Sequence, residues 1–197
     1  MDSVKEEIAA TAARMVVEEG LEYGAAKRRA IKQLGLSARA ALPDNEVLER
    51  AVADYIATFY AAEQARELQA LRTLALGWME RLERFRPHIG GAVWRGTATR
   101  WSDIYLQLFC DDPKLAEIAL IDWGIRYAVR PVAGFKRETV DALSIHVTCP
   151  GLATQVGVHL LVHDFDDVRG AMKPDAQGRK LRGDTDALRN LLHDVRL

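Results

Sequence analysis

The 197 residues carry a net charge of −1, with 49% hydrophobic and 28% charged side chains. That balance argues against wholesale disorder and against a global field drawing the chain to nucleic acid or an anionic membrane, so any basic surface has to be local. The two cysteines, Cys110 and Cys149, follow no CxxC or CxxH spacing and read as packed thiols rather than a disulfide framework. No apolar run approaches the roughly 20 residues that span a bilayer, and the start of the chain holds no signal-peptide stretch, so the expected location is cytoplasmic with no membrane partner.

The N-terminal half reads as helical. Ser3 and Glu6 have capping-box spacing, and Val4, Ile8, Ala12, Met15 and Val16 repeat at helical intervals before Gly20. A second helix is expected over about residues 22–34, with Ala26, Ala30, Ile31 and Leu34 inward and Gly35 at its end. Its other faces carry Lys27, Arg28, Arg29 and Lys32, with Arg39 beyond. Such a cluster serves either as a solvated face or as a contact surface for RNA, another nucleic acid or a protein partner. Pro43-Asp44-Asn45 opens a third helix with Leu48, Val52, Tyr55, Ile56 and Phe59 on its apolar side. A fourth runs from about Gln64 to Phe85, with Leu68, Leu71, Ala75, Trp78, Leu82 and Phe85 in one stripe, and Pro87 closes it.

From residue 87 the pattern changes. Ala92 to Arg95 is a strand candidate, and Gly96 to Ser102 is a tight polar connector. Asp103 to Phe109 alternates strictly, with Ile104, Leu106 and Leu108 on one side and Asp103, Tyr105 and Gln107 on the other. Pro113 starts a helix with Leu115, Ile118 and Ala119 inward, and Gly124 ends it. Further strands are expected over 125–129, 142–148 and 154–162, the last two joined as a hairpin at Pro150-Gly151. A Gly- and Lys/Arg-rich loop spans 169–183, and Asp184 caps a last helix with Leu188, Leu191, Leu192 and Val195. The whole is an α+β chain: a helical region of about four helices over 1–86, then a mixed β-sheet with flanking helices over 87–197.

The stretch from Arg95 to Leu106 carries the chemistry. A glycine lets the backbone approach a phosphate, a neighbouring hydroxyl can donate to it, and a carboxylate on the next strand can hold a divalent metal beside it. In these features, and in the order of elements over 87–163, the chain resembles the DNA-polymerase-β-like nucleotidyltransferase superfamily. There a Gly-Ser or Gly-Gly turn precedes a strand with an Asp-x-Asp pair, and a third acid lies on a later strand. The resemblance implies Gly96, Thr97 and Ser102 near a triphosphate and Asp103 as the first metal ligand; Arg100 and Tyr105 are further candidates to contact the phosphate or nucleotide. Gly90-Gly91 is a second candidate for the glycine turn. The departures are Tyr105 at the second acid and His159 at the third. One carboxylate, a phenol and an imidazole supply little charge for two magnesium or manganese ions.

The chain as a whole also resembles a group of bacterial proteins of similar length. The resemblance rests on Gly96 to Arg100, Ser102-Asp103-Ile104, Asp122 to Tyr127 and Val168 to Pro174, and it brings no activity with it. A muramate–alanine ligase reading lacks any GxxGK[ST] loop for ATP.

The expectation is a degenerate nucleotidyltransferase-like protein that binds a nucleotide or another phosphate-bearing ligand without efficient catalysis. Two alternatives stay open. One is an active transferase with a rearranged site, in which Asp103 holds Mg or Mn and His159 is a ligand or base. The other is a non-catalytic protein or RNA interaction module of regulatory or toxin–antitoxin type. An oligomer would let a neighbour supply missing side chains. Lesser candidates are a transition-metal site of His146, His159 and Asp103, a phosphate-covering flap with Arg169, Lys173, Arg179, Lys180 and Arg182, and Trp101 as a stacking platform.

Overall fold

The computed structural model describes residues 2–135, 139–175 and 178–194. Among them are eight helices and a five-stranded mixed sheet, an α+β architecture. No helix is long and apolar enough to cross a membrane. The chain divides into two compact units, Met1–Arg66 and Glu67–Leu197, so the division falls inside the fourth helix, whereas the sequence placed it after residue 86.

The first unit is built on α1 (Asp2–Glu19), α2 (Tyr23–Gln33) and α3 (Asn45–Phe59). Ile8, Ala12, Met15, Ala30, Leu48 and Val52 meet in its core. Asp44 starts α3 by accepting the Val47 amide at 2.8 Å, which satisfies one of the free donors of a helix start. Ser3 lies within α1, so it does not act as the cap. The expected stripes are right at their centres and wrong at their ends. Val4 is 41% exposed and Phe59 70%, because each stands at an end of its helix, beyond the reach of the packed neighbours. Lys27 turns inward: its ammonium donates to the Pro43 carbonyl at 3.0 Å and to Asn45 Oδ1 at 2.8 Å.

In the second unit, α4 (Ala61–Arg81), from Glu67 onward, and the 3-10 turn Glu83–Phe85 pack on the sheet. The strands are β1 (His88–Gly90), β2 (Ile104–Cys110), β3 (Ala128–Ala133), β4 (Thr139–Cys149) and β5 (Thr154–Asp164). They lie in the order β1-β2-β5-β4-β3, with only the β2–β5 pair parallel. The alternation of β2 holds: Ile104, Leu106 and Leu108 are fully buried against the helices, worth about 1.5–3 kcal/mol each. Its other side chains face the opposite surface, where the candidate site forms.

Three expectations are corrected here. Ala92 to Arg95 is helical, part of α5 (Gly91–Arg95), not a strand. Gly91 at φ +70° and Gly96 at φ +90° bracket that single turn, overriding the strand preference of Val93 and Trp94. Residues 125–127 still close α6 (Lys114–Asp122), with the Ile125 amide on the Leu120 carbonyl, so β3 begins only at Ala128. On α6 the buried residues are Ala116, Ala119 and Leu120, whereas Leu115 and Ile118 are nearly half exposed: the small side chains face the sheet. The hairpin β4–β5 is as expected in pairing, with a four-residue connection, 150–153. The expected loop from 169 begins inside α7 (Val168–Ala171), and the last helix is α8 (Thr185–Asp194); Val195 lies outside the described residues.

Candidate functional site

Register builds the site. Tyr105 on β2 lies opposite His159 on β5, and His159 lies opposite Ser144 on β4. One row back, Gly157 pairs with His146, and Asp103 precedes β2 by one residue on the same face. The side chains lock together. Asp103 Oδ1 accepts the Gly157 amide at 2.9 Å, and Oδ2 lies 3.0 Å from His159 Nε2. His159 Nδ1 lies 2.9 Å from the Ser144 hydroxyl. With Nε2 donating to the carboxylate, Nδ1 accepts the Ser144 proton when the ring is uncharged and donates to the Ser144 oxygen when it is charged. The Tyr105 ring stacks on His159 at 4.8 Å between centroids.

Gly157 is what permits this. A Cβ there would stand 2.7 Å from Asp103 Cγ and Oδ1, so only glycine lets the carboxylate reach the strand backbone. The Asp103 pKa is held below the usual carboxylate value, foremost by the His159 hydrogen bond. Burial opposes this; the Gly157 amide and the fields of His159 and His146 add to it. His159 is buried, while the Asp103 side chain remains 42% exposed.

The donor set does not fit two divalent cations. Both Asp103 oxygens already accept from protein groups, and the remaining acid positions hold a phenol and an imidazole. Among the described residues no three His, Cys, Asp or Glu side chains converge to hold a metal ion, and this covers the His146, His159 and Asp103 combination as well.

The connector before β2 behaves differently from what its composition suggested. The amides of Gly96 and Thr97 both bond to the Ala92 carbonyl, and those of Thr99 and Ser102 bond to the Ser102 hydroxyl and the Thr99 carbonyl. Arg100 is clamped by Glu67, through its amide at 2.9 Å and its Nε at 2.7 Å. Arg72 donates to the carbonyls of Val93 and Trp94, closing α5 from below. The segment is a self-satisfied turn, and these five amides are turned to the protein. The expected phosphate contacts at Gly96, Thr97, Arg100 and Ser102 therefore do not have these amides to draw on; the Arg100 side chain remains half exposed.

Gly90-Gly91 is the pair nearest the site. A Cβ on Gly91 would stand 3.7 Å from the Tyr105 ring, and one on Gly90 would stand 3.4 Å from Arg182 Cγ. Arg182 is held there by its Nη1 on the Ala171 carbonyl and by the Phe135 ring beneath its guanidinium. Gly183 exchanges both backbone hydrogen bonds with Ile89, and the Trp94 indole donates to the Lys180 carbonyl. The expected flap is therefore pinned to β1 at its end, with Arg179 ion-paired to Asp175.

Of the basic cluster, Lys27 is withdrawn as a contact residue, since its charge is buried on Pro43 and Asn45. Arg29 is ion-paired with Glu19 at 2.6 Å; Arg28 and Lys32 are exposed. Trp101 is 57% exposed, and Cys110 and Cys149 are buried free thiols. His163 shares the sheet face in a three-ring cluster with Phe135 at 4.2 Å and Phe109 at 5.5 Å between centroids, with Nε2 2.6 Å from Gln107 Oε1.

Sequence reasoning brought Asp103, Tyr105 and His159 together and missed Ser144 and Gly157. A glycine inside an otherwise apolar strand was the available signal for Gly157. No protein-family model matches the chain, and no curated protein does either.

Proposed function

We propose that this chain is a degenerate nucleotidyltransferase-like protein that binds a nucleotide or another phosphate-bearing ligand without efficient catalysis. One observation carries the reading. Asp103, Tyr105 and His159 stand in adjoining rows of one sheet face, where the superfamily it resembles gathers three acids, and here they hydrogen-bond and stack with each other. The order of a strand ending in Gly90-Gly91, a short helix and an antiparallel strand opened by Asp103 supports it further. In this reading the glycine turn is Gly90-Gly91, and Arg182 supplies the positive charge beside it.

The chemistry follows from charge. Two-metal transfer needs carboxylates to concentrate hard cations against a triphosphate. A single carboxylate already held by an amide and an imidazole does not do so. Magnesium or manganese then enters only as a counter-ion carried by the ligand's own phosphates.

The test is calorimetric titration of the full chain with each of the four ribonucleoside triphosphates, with and without magnesium. Binding in the range of about 10 μM to 1 mM is expected. It should weaken at least about tenfold in Arg182→Gln and change little with the metal. No heat with any nucleotide would overturn the reading. Transfer of labelled nucleotide to an RNA or protein acceptor, abolished by Asp103→Asn, would replace it with an active enzyme.

A further inference from the structure

The opposite end of the sheet carries a separate cavity. It has a volume of about 180 Å³ and opens where β2 ends, with Arg84, Phe85, Arg86, Asp111, Leu115 and Phe165 in its lining. Seven residues of β2 separate this end from Asp103, about 23 Å at roughly 3.3 Å per residue. No residue of the Asp103 site takes part.

Its charged groups are held ready. The Arg86 guanidinium lies over the Phe165 ring at 4.1 Å, and that of Arg84 over Phe85 at 4.6 Å. Such stacking fixes the plane of a guanidinium while leaving its N–H edges available. Neither arginine makes an ion pair among the described residues, and neither does Asp111. Arg86 also has φ +49°, an unfavourable conformation for a non-glycine residue. That bend reverses the chain just before β1, with arginines two positions apart both lining one cavity.

The lining sorts into three parts: two cations, one anion, and an apolar wall of Phe85, Phe109, Phe165, Cys110 and Leu115. A cavity of about 150 Å³ accepts a benzene-sized body, so this one encloses about seven heavy atoms, with the rest of a larger ligand standing in its open mouth. A phosphate dianion would meet Asp111 and leave the rings unused. We propose that the cavity binds a small zwitterion, an α-amino acid with an apolar side chain. Its carboxylate pairs with Arg84 and Arg86, its ammonium group with Asp111, and its side chain packs on Phe85, Phe165 and Leu115.

The experiment is an NMR titration of the ¹⁵N-labelled full chain with L-leucine, 4-methylvalerate, isoamylamine and inorganic phosphate. L-Leucine should bind tightest, with shifts centred on the amides of Arg86, Asp111, Leu115 and Phe165. 4-Methylvalerate should bind several-fold more weakly, and isoamylamine should not bind at the site. Arg84→Gln and Arg86→Gln should each weaken leucine at least about tenfold, while Lys5→Gln in the other compact unit leaves it unchanged. If Arg86→Gln does not fold, Arg84→Gln alone decides. Leucine shifts that are absent at 10 mM, or unaltered by Arg84→Gln, overturn the proposal; so does phosphate binding more tightly than either carboxylate.

Discussion

The connector from Gly96 to Ser102 and the sheet face that begins at Asp103 are neighbours in sequence and opposite in the use of their polar groups. The connector turns its amides inward, onto Ala92, Thr99, Ser102 and Glu67. The face presents a carboxylate that is partly exposed, steadied from behind by Gly157, His159 and Ser144. Both stretches have the composition of a phosphate site. Only the destination of each hydrogen bond tells them apart, because a donor already satisfied inside the protein offers little to a ligand.

The sharpest way to break this contrast is at Gly157. Gly157→Val puts carbon atoms into the Asp103 carboxylate, so we expect a loss of about 2–3 kcal/mol in chemical denaturation. A change under about 1 kcal/mol would mean that the carboxylate does not sit on the strand. Next is the connector. Glu67→Ala strips the Arg100 amide of its partner and should lower stability by about 2 kcal/mol, since the Glu67 carboxylate is nearly buried. A connector open for ligand would tolerate that change.

Asp103→Asn comes third, at about 1 kcal/mol or less because the side chain is 42% exposed. Its pH dependence has a defined sign. The folded-state pKa lies below the ordinary 3.8, so the ionised group stabilises the fold above that value and loses this contribution as pH falls through the depressed one. The gap between wild type and Asp103→Asn should therefore be full at pH 6 and shrink below about pH 4. A gap constant down to pH 2.5 would contradict the assigned hydrogen bonds. Ser144→Ala is the smallest, about 0.5–1 kcal/mol, because His159 keeps its stronger partner in Asp103.

How far the sequence reached follows the same division. The alternation of β2 and the β4–β5 hairpin were legible, since a period of two and a Pro-Gly turn are local signals. Asp103 and Tyr105 were legible as face-mates from the alternation along β2, and His159 joined them only through the resemblance, which puts a third acid at its place; the β2–β5 register then brings the three together. What the sequence did not reveal depended on contacts remote in the chain. Trp94 is helical because glycines bracket its turn and Gly183 receives its ring; a Cβ on Gly183 would meet that ring at 2.2 Å. Lys27 looked like one more surface cation, and only the fold brings Pro43 and Asn45 to its ammonium. The exposed flank of α6 inverted the expected stripe, because Ala116 and Ala119 allow a closer approach to the sheet than Leu115 and Ile118 would.

The central claim is that the Asp103 carboxylate is engaged by protein donors in place of metal. Paramagnetic broadening by Mn²⁺ in the ¹⁵N–¹H spectrum of the full chain tests it most directly. We expect the amides of Asp103, Gly157 and His159 to keep their intensity at metal concentrations up to about 1 mM, well above the affinity of a built carboxylate site. Selective loss of those three signals, restored by Asp103→Asn, would contradict it.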